Sequence, residues 1–427
     1  MAEAMNTAPS APEALRVNAM PAPTWGWLKI NDAAVEVPEG LVAAGPIFDA
    51  VTAGIDISSA PDGTFEAALE EAGQRYPGRR ASAPGDARQL AALAAGAAGP
   101  LDVPALSGYQ AGAIKLEEEL SCAEAFKTGM GDEAYAYLQD NASDRYIIDL
   151  DAGRHEHMEV YARAGNGGAT VASIDVVARA GAVLDLDIML DSLEGGTGLV
   201  GSVLRVFAGP HARVNINSIQ TASDGYIAMD DTGLFLDEDA RVDVRHTVLG
   251  AGASYTGLAG DLRGDRSCVT VTTSYLGARE QLRDFNYELR HRGRDTVSDM
   301  QANGVLAGAS QKTLRGTIDL VHGCKGSQGN EREVVLLADE RVRNKTVPVI
   351  LCDEDDVAGN HGATIGHVRP EQLFYLGCRG LSAEEAEALF LRAKLEEAAL
   401  EAADERARAG VVRLGTQLFP DFEEELA

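Results

Sequence analysis

From about residue 145 to about residue 352, aliphatic residues alternate with polar ones at a period of two, punctuated by Gly and Asp. This is the pattern of half-buried β-strands, not of amphipathic helices. Inside it a five-residue phrase recurs: a small residue, any residue, an aliphatic, any residue, an aliphatic. It reads AVLDL from Ala182, ARVNI from Ala212, ARVDV from Ala240 and SCVTV from Ser267, at spacings of 30, 28 and 27 residues. Alternation puts Leu184 and Leu186, Val214 and Ile216, Val242 and Val244, and Val269 and Val271 on one face. Asp185, Asn215, Asp243 and Thr270 fall on the other.

A constant phrase at a near-constant period is the mark of a stacked repeat. With short β-branched strands as the unit, it predicts a parallel β-helix whose aliphatic pairs form continuous columns, stabilised collectively between neighbouring turns. A β-sandwich is the other architecture that short strands with turn signals allow.

The flanks have a different texture. Residues 1–15 are rich in Ala, Pro and Ser, a composition that predicts disorder. PAPTWGWLKIN (21–31) holds both tryptophans, Trp25 and Trp27, and reads as a segment docked on an apolar surface. FEAALEEAG (65–73) and ARQLAALAAGAA (87–98) have helical composition, with Asp86 placed to cap the second and RASAPGDA as a linker between them. Near the C-terminus, Ser382 with Glu385 forms a capping box. Ala386, Leu389, Phe390 and Ala393 make an apolar stripe, and Arg406 and Arg408 precede Gly410, so one helix is predicted over 382–409. The expected division is a helical and loop region over 1–140, a β-helix core over 141–380 and a helical region over 381–427.

Length and charge narrow the function. The chain has 427 residues, 45% hydrophobic and 24% charged, with aromatics at only 5%, so its core must be aliphatic. A formal net charge of -29 repels nucleic-acid phosphates and anionic lipid. No partner of either kind is expected. Five cysteines, Cys122, Cys268, Cys324, Cys352 and Cys378, lie far apart with no C-x-x-C, against a disulfide framework or a structural zinc site. No basic segment followed by an apolar run opens the chain, and no stretch of 18 apolar residues occurs. A cytoplasmic location is the expectation.

Few residues point to chemistry. His361, between Gly359 and Gly362, carries an imidazole suited to iron, and the glycines allow close backbone approach; a turn histidine is the plainer reading. Cys352 ends an apolar strand, VPVILC, where thiols are commonly buried and inert. Cys324, in HGCKGSQG, has Lys325 beside it to favour a thiolate and His322 two residues away. The run Asp353 to Asp356 lacks the spacing of a calcium loop and reads as a solvated turn. His155 and His157 share one strand face, which two ligands alone do not make a metal site. The phosphate-loop pattern is absent, as are the G-x-S-x-G, H-E-x-x-H and dinucleotide fingerprints. The chain has no ATP site of its own by that route, and the shortage of such motifs favours a scaffold over an enzyme.

Five segments in order carry a resemblance: SQKTLRGTIDLVHG (310–323), LLADE (336–340), TVPVILCDEDDV (346–357), NHGATIG (360–366) and QLFYLGCRGLS (372–382). Together they resemble the SufB/SufD family of iron–sulfur cluster assembly proteins. The match is strong over about 310–395 and looser over the repeat. The tryptophan segment is similar to one near the family's N-terminus. In SufB chains Glu follows the histidine directly; here it is Gly362. SufB chains also carry a cysteine shortly before TVP, and here RVRNK stands there. The resemblance is therefore closer to SufD. Many SufD chains place a cysteine two residues before the histidine; here that position is Gly359, so the thiolates would have to come from SufB.

The resemblance implies a right-handed parallel β-helix with flanking helices. It implies a non-catalytic scaffold that pairs with a SufB-like subunit and shares a transient iron–sulfur cluster with it. His361 would be a ligand or polar relay at that interface, with Cys324 and Cys352 as weaker thiol candidates. A SufC-like ABC ATPase would bind the C-terminal helical region, with Phe374, Tyr375, Arg379, Leu389 and Phe390 as contacts. Two rivals remain: a SufB-like homodimer that holds a cluster by itself, and a carbohydrate-active β-helix enzyme using exposed carboxylates such as Glu159, Asp185 and Asp243.

Overall fold

The computed structural model describes residues 14–22, 29–50, 57–59, 63–76, 121–367 and 369–423. Trp25 and Trp27, the predicted helix over 87–98 and its linker lie outside the described residues.

From Arg145–Leu150 to Ala358–His367 the strands wind into a parallel β-solenoid of about 8 turns. Alternate strands belong to two facing sheets. Within each sheet the solenoid neighbours pair in parallel, which excludes the antiparallel sandwich. The repeat phrases stack in register, Leu184 with Val214, Val242 and Val269, and Leu186 with Ile216, Val244 and Val271. All eight side chains are buried. Asp185, Asn215, Asp243 and Thr270 align on the outer face, where Asn215 Nδ2 donates to Asp185 Oδ1 at 2.7 Å. This is the ladder sheet.

The small residue that opens each phrase sits at a tight corner. The residue before it is left-handed in turn after turn: Gly181, His211, Asp239 and Arg266, with φ of 69°, 59°, 54° and 59°. Ala182, Ala212, Ala240 and Ser267 are then folded directly inward and fully buried, where a larger side chain would crowd the packed interior.

The second sheet, here the covered sheet, has no matching polar alternation. Strands such as Gly198–Ala208 are buried at every position, because other elements cover the outer face. Helix α1 (Thr64–Arg75) packs there through Phe65 and Leu69 against Val177, Phe207 and Phe235, together with the short α2 (Cys122–Ala125). Helix α3 (Asp132–Asn141) adds Ala134 and Leu138 beside Val171, Leu199 and Met229. An antiparallel hairpin of Leu15–Val17 and Ala33–Val35 completes the cover. A strand buried on both faces reads as a continuous apolar run, so only the ladder sheet is visible as a repeat.

Among the described residues three helices follow the solenoid: α4 (Pro370–Cys378), α5 (Ala383–Leu400) and α6 (Glu405–Leu418). The single helix predicted over 382–409 is thus two. Asp404 starts α6 by accepting the amides of Arg406 and Ala407 at 2.6 and 2.9 Å. Arg406 and Arg408 consequently lie in its first turn, and Gly410 lies inside it as a packing residue. The predicted stripe is displaced as well. Ala386 is buried as expected, but its buried companions are Leu391, Leu395, Ala398 and Ala399. Leu389 and Ala393 are exposed and Phe390 is half-buried. The outer row Leu276, Ala278, Ala307 and Ala338 of the ladder sheet selects the docking face, which helical periodicity alone leaves open.

Candidate functional site

The second inward column of the ladder sheet runs Leu186, Ile216, Val244, Val271, Met300, Glu331 and His361 in unbroken register. Five apolar residues give way to a carboxylate and then an imidazole. His361 belongs to the last strand, Ala358–His367, where every residue but Gly366 is exposed. Among the described residues no further turn covers it. Gly359, two residues earlier and so on the same strand face, marks the inward side. A Cβ there would stand 3.1 Å from Ile350 Cγ2 and 3.5 Å from the core residue Leu320. His361 therefore faces the open mouth of the solenoid.

One turn below, Glu331 is only 7% exposed. Its Oε2 is buried and has no hydrogen-bond partner among the described residues. Burial, with the neighbouring charge of Glu333, pushes its carboxyl up to about 7, and Lys312 opposes the shift. Opposite stands Gly316, where a Cβ would come 2.5 Å from the Glu331 carboxylate, so a side chain there would displace the carboxylate from this position. Glu333 is fully engaged. The Lys312 ammonium contacts it directly, Tyr275 Oη donates to it at 2.9 Å, and Thr346 Oγ1 donates to it at 2.5 Å. Glu331, Glu333 and Lys312 escaped the sequence reading. The signal was present: the repeat phrase continues to SQGNE, ending at Glu331, and VAGNH, ending at His361. The small, any, aliphatic pattern conceals it, because the inward aliphatics have become polar.

The thiols divide. Cys352 is in register with Leu320, which places it on the inward row of the covered sheet at the same uncovered end, and it is exposed. Its Sγ donates to the Glu354 carbonyl at 3.3 Å. Cys324 is buried in the main core, and burial pushes its thiol up to about 12. The expected thiolate beside Lys325 is not what this environment favours, because the turn folds the sulfur inward. His322 stands apart from it, 3.6 Å from Glu354. Glu354 also departs from the expected solvated turn: its carboxylate accepts the Gly323 amide at 2.8 Å, while the Asp356 carbonyl accepts that of Gly326 at 2.7 Å. The acidic run thus stacks on the turn below. His155 and His157 each meet one rung of the outer ladder, Asp185 at 3.0 Å and Asp187 at 2.7 Å. Among the described residues no group of three or more His, Cys, Asp and Glu side chains could hold a metal ion.

The helices beyond the mouth carry a second feature. Phe374 and Tyr375 on α4 are 75% and 57% exposed, and Leu389 on α5 is 45% exposed. The Arg379 guanidinium lies 5.2 Å from the Tyr375 ring centre. Phe374 and Tyr375, consecutive in the chain, leave two large rings in water, and exposed apolar groups of this kind mark interaction surfaces. Among the described residues no helix is long and apolar enough to cross a membrane.

Residues 160–394 match the family model for the SUF system FeS cluster assembly, SufBD core domain. Over 190 residues the chain is 27% identical to the iron-sulfur cluster assembly protein SufD of Bacillus subtilis, covering 44% of each. Over 203 residues it is 28% identical to an iron-sulfur cluster assembly SufBD family protein of Mycobacterium bovis, covering 48% of this chain and 24% of that one. A SufBD family protein of Staphylococcus saprophyticus is 26% identical over 127 residues, 30% of this chain and 27% of the relative. The aligned stretches span less than half the length of these relatives. The matched residues take in the whole run of strands from the repeat to the mouth, and on that ground this chain belongs to the SufBD core family of iron–sulfur cluster assembly proteins, with SufD-like character.

Proposed function

We propose that this chain is a non-catalytic scaffold subunit of a cytoplasmic SUF assembly complex. It pairs end-on with a SufB-like solenoid and binds a SufC-like ABC ATPase through α4 and α5. The observation that carries this reading is the uncovered last turn. Its strand leaves one edge of backbone donors and acceptors unpaired, and such an edge is a template for pairing with another chain. The same turn presents His361 where that partner would arrive. A nascent cluster held between the two subunits is the cargo. His361 supplies an imidazole nitrogen or a polar relay to it, Cys352 is the exposed thiol candidate at the same end of the solenoid, and the partner supplies the remaining thiolates. The exposed Phe374, Tyr375 and Leu389, with Arg379 over Tyr375 and the half-buried Phe390, suit the ATPase contact.

The test is anaerobic recovery of the tagged chain from its own cytoplasm, with co-eluting chains identified by mass. An ABC-type ATPase together with a second solenoid chain is expected. Recovery of a homodimer retaining a cluster would replace this reading with the self-sufficient SufB-like one. Recovery of the chain with neither partner nor cluster would overturn both. In the intact complex, His361→Ala should keep partner binding and lower bound iron and sulfide.

A further inference from the structure

The charges inside the last turns do not balance. Two carboxylates, Glu331 and Glu333, face one ammonium, Lys312. Lys312 is buried and committed to Glu333 and to Thr346 Oγ1, the latter at 3.2 Å. Glu333 is satisfied by Lys312, Tyr275 and Thr346. Glu331 is more than nine-tenths buried, and among the described residues its Oε2 has no hydrogen-bond partner. A buried carboxylate in that position is costly unless a cation or donor reaches it. Directly above, in register on the last strand, is His361.

We propose that Glu331 and His361 together form a two-residue acceptor site for a divalent transition-metal ion of the ferrous class, open on its remaining sides. This rests on the reading of His361 as the residue that faces the cargo, and it adds the carboxylate beneath it. One imidazole nitrogen and one carboxylate oxygen suit a borderline metal such as Fe²⁺, Co²⁺ or Zn²⁺. The ion supplies the charge that the interior lacks. With only two protein ligands the site receives iron and does not enclose it, which fits the lack of any three-ligand group among the described residues. Gly316 is part of the same device, since any side chain opposite would drive the carboxylate from its place.

The probe is Co²⁺, added anaerobically to the full-length chain and followed by its visible absorption and by metal-induced thermal stabilisation. The wild-type chain should bind one equivalent and gain melting temperature. Glu331→Gln keeps the shape and removes the charge. It should melt no lower than wild type without metal, and bind Co²⁺ on the order of tenfold or more weakly. His361→Ala should lose binding comparably, and the double variant should be little worse than either single one, as expected of one shared site. Undiminished binding in Glu331→Gln alongside a loss in His361→Ala overturns this proposal and leaves His361 as the cargo-facing residue. Undiminished binding in both variants, or no binding by the wild-type chain, overturns the shared site and the ligand role of His361 together.

Discussion

Arg315 Nη1 lies 2.7 Å from Asp284 Oδ1, both side chains buried beneath the N-terminal hairpin. The same guanidinium donates from Nε to the Ile30 carbonyl at 2.6 Å and from Nη2 to the Asp32 carbonyl at 3.1 Å. Asn18 Nδ2 completes the group by donating to Asp284 Oδ1 at 2.7 Å. One charge pair thus fastens the hairpin to the solenoid, and Met20 and Ile30 continue the contact onto Val347 and Val349 near the mouth. Arg315→Ala strands the Asp284 carboxylate, and the expected loss is about 3–5 kcal/mol. Replacing both partners with apolar residues of similar volume should cost less than either single truncation. Denaturant unfolding of the three variants tests the order, and a smaller loss for Arg315→Ala than for the double replacement would refute it.

Gly410 is the close-approach point of α6. A Cβ there would meet Met189 Cε at 2.4 Å and Thr221 Oγ1 at 2.8 Å. Gly410→Leu should therefore lift the helix off the ladder sheet, despite the better helix propensity of Leu. Hydrogen exchange over 405–418 should accelerate while exchange in the solenoid strands stays slow. Unchanged protection of α6 would show that the helix is anchored elsewhere.

The thiols should differ in reactivity. Under native reducing conditions Cys352 and Cys378, both exposed, should alkylate first. Cys324 and Cys122, buried and with thiols pushed up by desolvation, should react only on unfolding. Peptide mapping after a short iodoacetamide pulse reads this directly. Early labelling of Cys324 would contradict its place in the core.

Stability should respond to pH through His291. Its ring is buried, with Nδ1 2.7 Å from Thr296 Oγ1 and Nε2 2.8 Å from Ser298 Oγ. Thr296 Oγ1 in turn meets Ser327 Oγ at 2.7 Å, so the shell is neutral hydroxyls. Burial lowers the imidazole to about 4. The unfolded chain takes up the proton first as pH falls, so the neutral ring's contribution is complete above about 6.5 and lost progressively toward 4. Between pH 7.5 and pH 5 the stability advantage of wild type over His291→Asn should shrink by roughly 1–2 kcal/mol. A constant difference across that range would rule out a titrating role.

Phe374 and Tyr375 should be dispensable for folding and needed for partner binding. Their exposure predicts that Phe374→Ser with Tyr375→Ser changes stability by only about 0.5 kcal/mol. Under the proposed function, co-purification of an ABC-type ATPase should fall sharply while that of a second solenoid chain persists. Full retention of the ATPase would move its contact off α4.

Much of the solenoid was legible because its physics is periodic. Leu184, Val214, Val242 and Val269 must each find the same neighbour one turn on, so the sequence repeats the residue type and the stack can be read. The Asp185 and Asn215 ladder outside was readable for the same reason. The covered sheet was not, since α1, α3 and the hairpin bury its outer face and erase the alternation. The placement of α5 and α6 also escaped, because an Ala-rich helix offers several apolar stripes, and only the row from Leu276 to Ala338 decides which one docks.

His361 was marked by its motif, and its chemistry followed from residue type and resemblance. That it stands at an uncovered end, above Glu331, is a matter of register, decided by where the winding stops. The amino-acid sequence by itself determined a stacked aliphatic repeat, a family and a histidine. Tertiary structure alone decided that Glu331 is buried with an unpartnered oxygen, that Cys324 is hidden and Cys352 open, and that Phe374 and Tyr375 face water. Burial depends on what lies one turn away, and about 30 residues of chain separate those neighbours, as with Glu331 and His361.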